Sequence, residues 1–302
     1  MKLIRLSIAA GLFTLAFLTV FFTSQFVNAA SPKPITIGFI PGENPEVLKE
    51  HGQGIAALIQ SKIGVPVNIF ISKDYTDMIV AMKEKKVDFA FFTAMTYVFA
   101  EKDAGAKVLL KKVWEGPYYF ATILAKSATK VSQLKGKSFA FVDEKSTSGY
   151  LYPQVYFKKN NVDAKSFFKQ TLFSGNHTES IKLLREGKVD AVAVFSNDEK
   201  AKDSAWERFP SADGKKAPHP KVVWVSAAIP NDPFVVRQDF YDKNPKLAHD
   251  LMFGMMELIE DPKEGVNFQK LLNVKSLMLA TSAQYEPVRE MVKELNLKPE
   301  AR

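Results

Sequence analysis

Asp74-Tyr75-Thr76-Asp77, running on to Glu84-Lys85-Lys86-Val87-Asp88, returns 102 positions later as Asn176-His177-Thr178-Glu179, running on to Glu186-Gly187-Lys188-Val189-Asp190. At that offset Tyr75 falls on His177, Thr76 on Thr178, Ile79 on Ile181 and Glu84 on Glu186. Each copy reads as a helix start, an amphipathic helix and then a buried strand. A chain that builds the same unit twice is expected to have two similar lobes. Asp74-x-x-Asp77 and Asn176-x-x-Glu179 each place an N-cap residue ahead of an acid at the third helical position. Tyr75 and His177 then stand in the first helical turn, where unpaired N–H groups and the helix dipole favour an anion. Helix N-termini lie at the carboxyl ends of parallel strands, where open α/β sheets bind ligands. The layout suits a cleft for a small anion.

Outward from the repeat, strands are expected over Ile35 to Ile40, which alternates, over Val65 to Ile71, and over Val87 to Phe92, apolar on both sides apart from Asp88, with helices between them. This β-α-β-α-β order implies a parallel or mixed sheet covered by helices on both faces. Further strands are expected at Val108 to Lys112, Tyr119 to Ala125, Ser138 to Val142, Val189 to Phe195 and Val222 to Val225. Tyr119 to Ala125 is expected to cross between lobes. Beyond Ile229 the pattern reads as helical, over Lys246 to Ile259, Gly265 to Leu272 and Gln284 to Leu295. The organisation expected is residues 1–30 as an export signal, 31–125 as the first part of lobe one, 126–225 as lobe two, and 226–302 as the return to lobe one.

The first segment sets the compartment. Lys2 and Arg5 precede the apolar run Leu6 to Phe22, and Val27-Asn28-Ala29-Ala30 supplies small residues for cleavage after Ala29 or Ala30, a secretory pattern. Removing 30 of 302 residues takes two positive charges and turns a net +8 into +6. The remaining 272 residues suit two domains, and the full chain, with 24 Phe and 46% apolar residues, has ample material for a core. There are no cysteines, which is compatible with export and excludes a lipid-modified Cys. The basic balance is Lys-rich and dispersed, without the focused stripe that nucleic-acid binding needs.

Ser146-Thr147-Ser148-Gly149-Tyr150 is the second candidate site. Three hydroxyls and a Gly at a strand-to-helix junction can surround an oxyanion with side-chain and backbone donors, or simply cap a helix. Signs of catalysis are scarce. His51, His177, His219 and His249 lack metal-ligand spacing, and neither a G-x-S-x-G elbow nor a Walker loop is present. No enzyme activity, metal or cofactor is expected.

Gly38-Phe39-Ile40-Pro41 with Glu43-Asn44-Pro45, Asp74-Tyr75, Val87-Asp88-Phe89-Ala90, Thr96-Tyr97-Val98 with Ala100, Phe141-Val142-Asp143 with the Ser-Thr-Ser-Gly-Tyr run, Gly175-Asn176-His177, and Ile229-Pro230-Asn231-Asp232-Pro233 occur in that order. With these pieces the chain resembles the phosphonate/phosphite substrate-binding proteins of ABC importers over its whole mature length. The resemblance implies a type II periplasmic-binding-protein fold: two lobes, two mixed sheets flanked by helices, and a two-strand hinge. It also implies a periplasmic monomer that passes a phosphonate, phosphite or phosphate to an inner-membrane permease. A periplasmic sensor feeding a receptor kinase is the alternative. By resemblance Ser146, Thr147, Ser148, His177 and Tyr75 hold the oxyanion, and Tyr97 closes the other side. Asp232 and Asn197, or the adjacent Asp198, face the variable end of the ligand. Where the family has a Gly-Pro turn before the Tyr97 position, this chain has Thr93-Ala94-Met95.

Overall fold

The computed structural model describes residues 33–41, 45–210 and 218–298. The expected export signal and its cleavage site, and the Glu43-Asn44 pair, lie outside the described residues.

Among the described residues the strands are β1 (Ile35–Phe39), β2 (Val67–Ile71), β3 (Phe89–Phe91), β4 (Ala106–Val113), β5 (Tyr118–Ala125), β6 (Ser138–Phe141), β7 (Gln170–Phe173), β8 (Ala191–Ser196), β9 (Lys221–Val225), β10 (Ile229–Pro230), β11 (Pro233–Arg237) and β12 (Ser276–Leu279). They form two mixed sheets. The first has the order β12-β4-β11-β3-β1-β2, and the second β10-β5-β8-β6-β7 with β9 also on β5. The helices are α1 (Pro45–Ile63), α2 (Tyr75–Lys83), α3 (Ala94–Asp103), α4 (Tyr152–Lys159), α5 (Ala164–Phe167), α6 (His177–Arg185), α7 (Ala205–Arg208), α8 (Gln238–Lys243), α9 (Pro245–Glu260), α10 (Gly265–Leu272) and α11 (Glu286–Glu294).

The duplication runs deeper than the sequence match. β1 pairs in parallel with β2 and β3, and β6 pairs in parallel with β7 and β8. The registers coincide at the same offset: Ile37 faces Phe89 as Phe139 faces Ala191, and Phe39 faces Ile71 as Phe141 faces Phe173. The repeated acid is a structural staple in both halves. Asp88 Oδ2 accepts from the Thr36 amide at 3.0 Å, and Asp190 Oδ2 accepts from the Ser138 amide at 2.9 Å. A part-buried backbone donor at the start of β1 and of β6 is satisfied this way.

Both faces of each sheet are packed. Ile37, Phe89, Phe91 and Phe234 form a core with α1, α9 and α10, while Met78, Met82, Phe92 and Tyr285 fill the opposite face. In the second sheet Phe139, Phe141, Phe157 and Phe168 make one aromatic core, and Leu124, Ile181, Val192 and Val194 make the other.

Three expectations are corrected. The segment beyond Ile229 is not wholly helical, because β10, β11 and β12 lie there and β11 sits inside the first sheet. All five residues of β11 are buried, so the run has no alternation to mark it as a strand. The crossing from first to second sheet lies at 114–117, ahead of β5, because β5 pairs along its length with β8 of the second sheet. The return lies at Asn231-Asp232, between β10 and β11. No helix among the described residues is long and apolar enough to cross a membrane.

Candidate ligand-binding cleft

Both repeated helix starts are built as their spacing requires. The Asp74 carboxylate accepts from the Asp77 amide at 2.7 Å, and the Asn176 side chain accepts from the Glu179 amide at 2.8 Å. Each cap is followed at once by Tyr75 or His177, both buried. Tyr75 and His177 line one cavity of about 190 Å³, together with Ser146, Thr147 and Ser148.

The hydroxyl run has an unusual backbone. Thr147–Leu151 forms a π-helical turn, and α4 begins only at Tyr152, with Pro153 in its first turn where the missing N–H costs nothing. Leu151 N–H donates to the Ser146 carbonyl at 3.0 Å, the five-residue step of a π turn. Ser146 Oγ accepts from the Gly149 amide at 3.1 Å. A Cβ at Gly149 would stand 2.5 Å from Val142 Cβ and 2.8 Å from Ser146 Oγ, so only glycine fits under this turn. The widened turn brings three consecutive hydroxyl residues to the cavity wall.

Thr147 also joins the two sides of the cleft, since its Oγ1 accepts from the Met95 amide at 2.8 Å. That amide belongs to the first turn of α3, which opens with Thr93-Ala94-Met95. Thr93 caps α3 there through reciprocal bonds with Thr96. The Tyr75 hydroxyl stands beside the Ser146 side chain, and that of Tyr119 beside Thr147.

The electrostatics favour neutral donors. Burial, then the charges of Asp143 and Asp232, push the Tyr75 hydroxyl well above the ordinary tyrosine range, so it remains an O–H donor. Burial pulls His177 down to about 3, so the imidazole is neutral and keeps one N–H. Its ring stands edge-on to Phe195 at 5.0 Å. Nδ1 of His177 is buried without a partner among the described residues, as is the neighbouring Thr178 Oγ1. A buried polar atom left unpaired in a cavity wall costs about 1–3 kcal/mol unless a ligand or water meets it. Asp232 also lines the cavity, and burial raises its carboxyl to about 6 against the opposing charge of Lys112.

Asn197 lines the cavity, while the Asp198 carboxylate is turned into its own loop, accepting from the Lys200 and Asp203 amides at 2.8 and 2.6 Å. Tyr97 is the expectation the structure corrects. It is fully buried but absent from the cavity wall; its hydroxyl donates to Glu101 at 2.6 Å, one helical turn on, and its ring packs on Tyr285. Ser282 and Arg289 bind the same Glu101 carboxylate, which anchors Tyr97 on the far side of α3. Tyr119, Lys112, Trp114 and Arg208 line the cavity without having been anticipated. Tyr119 and Lys112 lie in apolar strands and Trp114 in a short crossing, so no local pattern singles them out.

The Ile229-Pro230-Asn231-Asp232-Pro233 run is the return crossing. Asn231 Nδ2 donates to the Gly116 carbonyl of the other crossing at 2.8 Å, and Tyr285 Oη donates to the Asn231 carbonyl at 2.8 Å. Two crossings braced on each other are the two-strand hinge, and they set Asp232 at the cavity.

The profile of the family described as the ABC transporter, phosphonate, periplasmic substrate-binding protein matches residues 37–285, which includes every residue of the cleft named above. The chain belongs to this family. Its members are substrate-binding components of transporters and not enzymes. The phosphonates-binding periplasmic protein of Escherichia coli is 27% identical over 292 residues, covering 92% of this chain and 82% of that protein. The probable ABC transporter phosphite binding protein PhnD1 of Prochlorococcus marinus is 23% identical, over 92% of this chain and 94% of its own. The solved structure of that protein in complex with methylphosphonate matches with a TM-score of 0.76, over 88% of this chain and 99% of the other. The likeness extends the two-lobed fold to this chain.

Proposed function

We propose that this protein captures a small phosphorus oxyanion in the cleft between its two sheets and delivers it to an ABC permease. The observation that carries this reading is the convergence of Tyr75, His177 and the Ser146–Ser148 π turn on a single cavity. All five are uncharged donors, drawn from two duplicated helix starts and one widened turn. A buried dianion is tolerated only when nearly every oxygen is hydrogen-bonded. Neutral donors and helix N-termini can achieve this without a full countercharge.

The lobes act as jaws in this reading. The cradle of Ser146, Thr147, Ser148 and His177 belongs to the second lobe, and Tyr75 to the first. Ligand oxygens bridging them would favour the closed arrangement, which excludes water. The phosphonate binder of Escherichia coli and the phosphite binder of Prochlorococcus marinus support the ligand class. We further propose that residues 1–30 are removed on export and that the mature chain works as a monomer in the periplasm. Titration calorimetry with phosphite, methylphosphonate, phosphate and sulfate tests the central claim. Saturable binding of at least one phosphorus oxyanion, tighter than sulfate, is expected; no saturable binding to any of them defeats it.

A further inference from the structure

A second group of cavity-lining residues has a different chemistry from the hydroxyl cradle. Lys112, Trp114, Asn197, Arg208 and Asp232 form this part of the wall. Arg208 lies over the Trp114 ring, its guanidinium carbon 3.8 Å from the ring centroid. Nε and Nη2 of Arg208 donate to the two oxygens of Asp203 at 2.7 and 2.6 Å. The same carboxylate accepts from Trp114 Nε1 and Asn197 Nδ2, each at 3.0 Å. Asp203 is therefore saturated with donors, and they hold its carboxyl below the ordinary range even though burial works the other way. Nη1 of Arg208 has no hydrogen-bond partner among the described residues.

Asp232, the other carboxylate here, is opposed by the charge of Lys112. Each acid at this part of the wall already faces a cation, and Arg208 has donor capacity left over. A ligand ammonium arriving here would meet the charges of Arg208 and Lys112, with Asp232 the one acid of this part of the wall not held by hydrogen bonds among the described residues. A ligand carboxylate would meet a guanidinium held in place by stacking and by a bidentate ion pair, the arrangement in which arginine recognises oxyanions best. The cavity of about 190 Å³ has room for several waters, more than a bare tetrahedral oxyanion needs.

We propose that Arg208, presented by Trp114 and Asp203, forms with Lys112 a second anion subsite, so that this chain prefers phosphonates carrying a carboxylate over those carrying an ammonium. The inference rests on the phosphorus-oxyanion reading above and names a substrate class within it.

Calorimetry with methylphosphonate, phosphonoacetate and 2-aminoethylphosphonate at one pH tests it on the unaltered protein. Phosphonoacetate should bind at least about tenfold tighter than 2-aminoethylphosphonate, the effect of one charge-assisted hydrogen bond. In Arg208→Gln, Asp203 keeps only Trp114 and Asn197 as donors, and that ratio should fall about tenfold or reverse. Because the readout is a ratio within each protein, a general loss of stability in the variant does not imitate it. Equal or tighter binding of 2-aminoethylphosphonate by the unaltered protein overturns the inference even if Arg208→Gln fails to fold. An unchanged ratio in a folded variant overturns it as well. Methylphosphonate separates the two levels: if it binds without any carboxylate preference, the oxyanion reading stands and the second subsite falls. If none of the three binds, the oxyanion reading itself fails, and the subsite with it.

Discussion

The two halves related by the 102-residue offset are built alike and finished differently. Both place a capped helix after an edge strand, and both staple the start of the neighbouring strand, β1 or β6, with a repeated aspartate. Even the serines agree: Ser72 donates to the Phe39 carbonyl as Ser174 donates to the Phe141 carbonyl. The first residue of the helix is where the halves part. One presents a phenol beside Ser146, and the other an imidazole with a buried nitrogen that has no partner among the described residues. Scaffold positions stay alike because each serves its own sheet. Under the proposed function, the cleft positions differ because both copies serve one ligand.

The largest effects should come from the paired cores. Phe139 stands where Ile37 stands in the other half, and both are fully buried. Phe139→Ala should cost about 3–5 kcal/mol and Ile37→Ala about 2–5 kcal/mol in denaturant unfolding. A cost under about 1 kcal/mol at either would break the equivalence of the two sheets.

Next come the residues at the paired helix starts. His177→Ala and Tyr75→Phe should each weaken oxyanion binding by about 1.5–3 kcal/mol, since each removes a hydrogen bond to a charged group. Calorimetry on both single variants and the double variant also measures their coupling, expected to be non-zero because both hold the same ligand. Full affinity in either single variant would leave that helix start with a structural role only.

The pH response should divide the pair further. Folded His177 takes up its proton only near pH 3, whereas in an unfolded chain it does so near its ordinary 6.5. Between those values unfolding binds a proton, so this contribution to stability falls as pH falls. Asp232 works in the opposite sense. Its carboxyl is raised from 3.8 to about 6, so unfolding there releases a proton and its contribution improves on acidification. Comparing the parent with His177→Gln isolates the histidine: below pH 6.5 the parent should lose up to about 1.4 kcal/mol per pH unit relative to the variant. Tyr75→Phe should run parallel to the parent. Parallel curves for His177→Gln would show that the imidazole is not desolvated.

The smallest effect is expected just past the helices, where Lys85 and Gly187 hold the same left-handed conformation, at φ 62° and 71°. Lys85 bears the Cβ strain that Gly187 escapes. Lys85→Gly should stabilise by about 1 kcal/mol or less, because lost strain is partly offset by backbone entropy and by a surface ion pair to Asp239. Thermal unfolding measures it, and destabilisation would show that the ion pair outweighs the strain.

The repeat, its capped helices and the hydroxyl run were readable without coordinates, because caps, periodicity and turn residues act between neighbours in the chain. Local chemistry of that kind does not depend on the partner surface. β11 was hidden because a strand buried on both faces looks like any apolar run until its neighbours are known. Tyr97 was expected at the cleft by resemblance alone, which does not show that Glu101 claims its hydroxyl from one helical turn away. The choice between Asn197 and Asp198 turned on hydrogen bonds inside one loop. Arg208 and Trp114, 94 positions apart in the chain, meet only because two crossings fold the second sheet over the first. Order along the chain established two copies of a helix-opening unit and a hydroxyl-rich turn. Which side chains share the cavity was settled by packing, since contact between distant residues depends on how buried surfaces fit and not on any spacing in the chain.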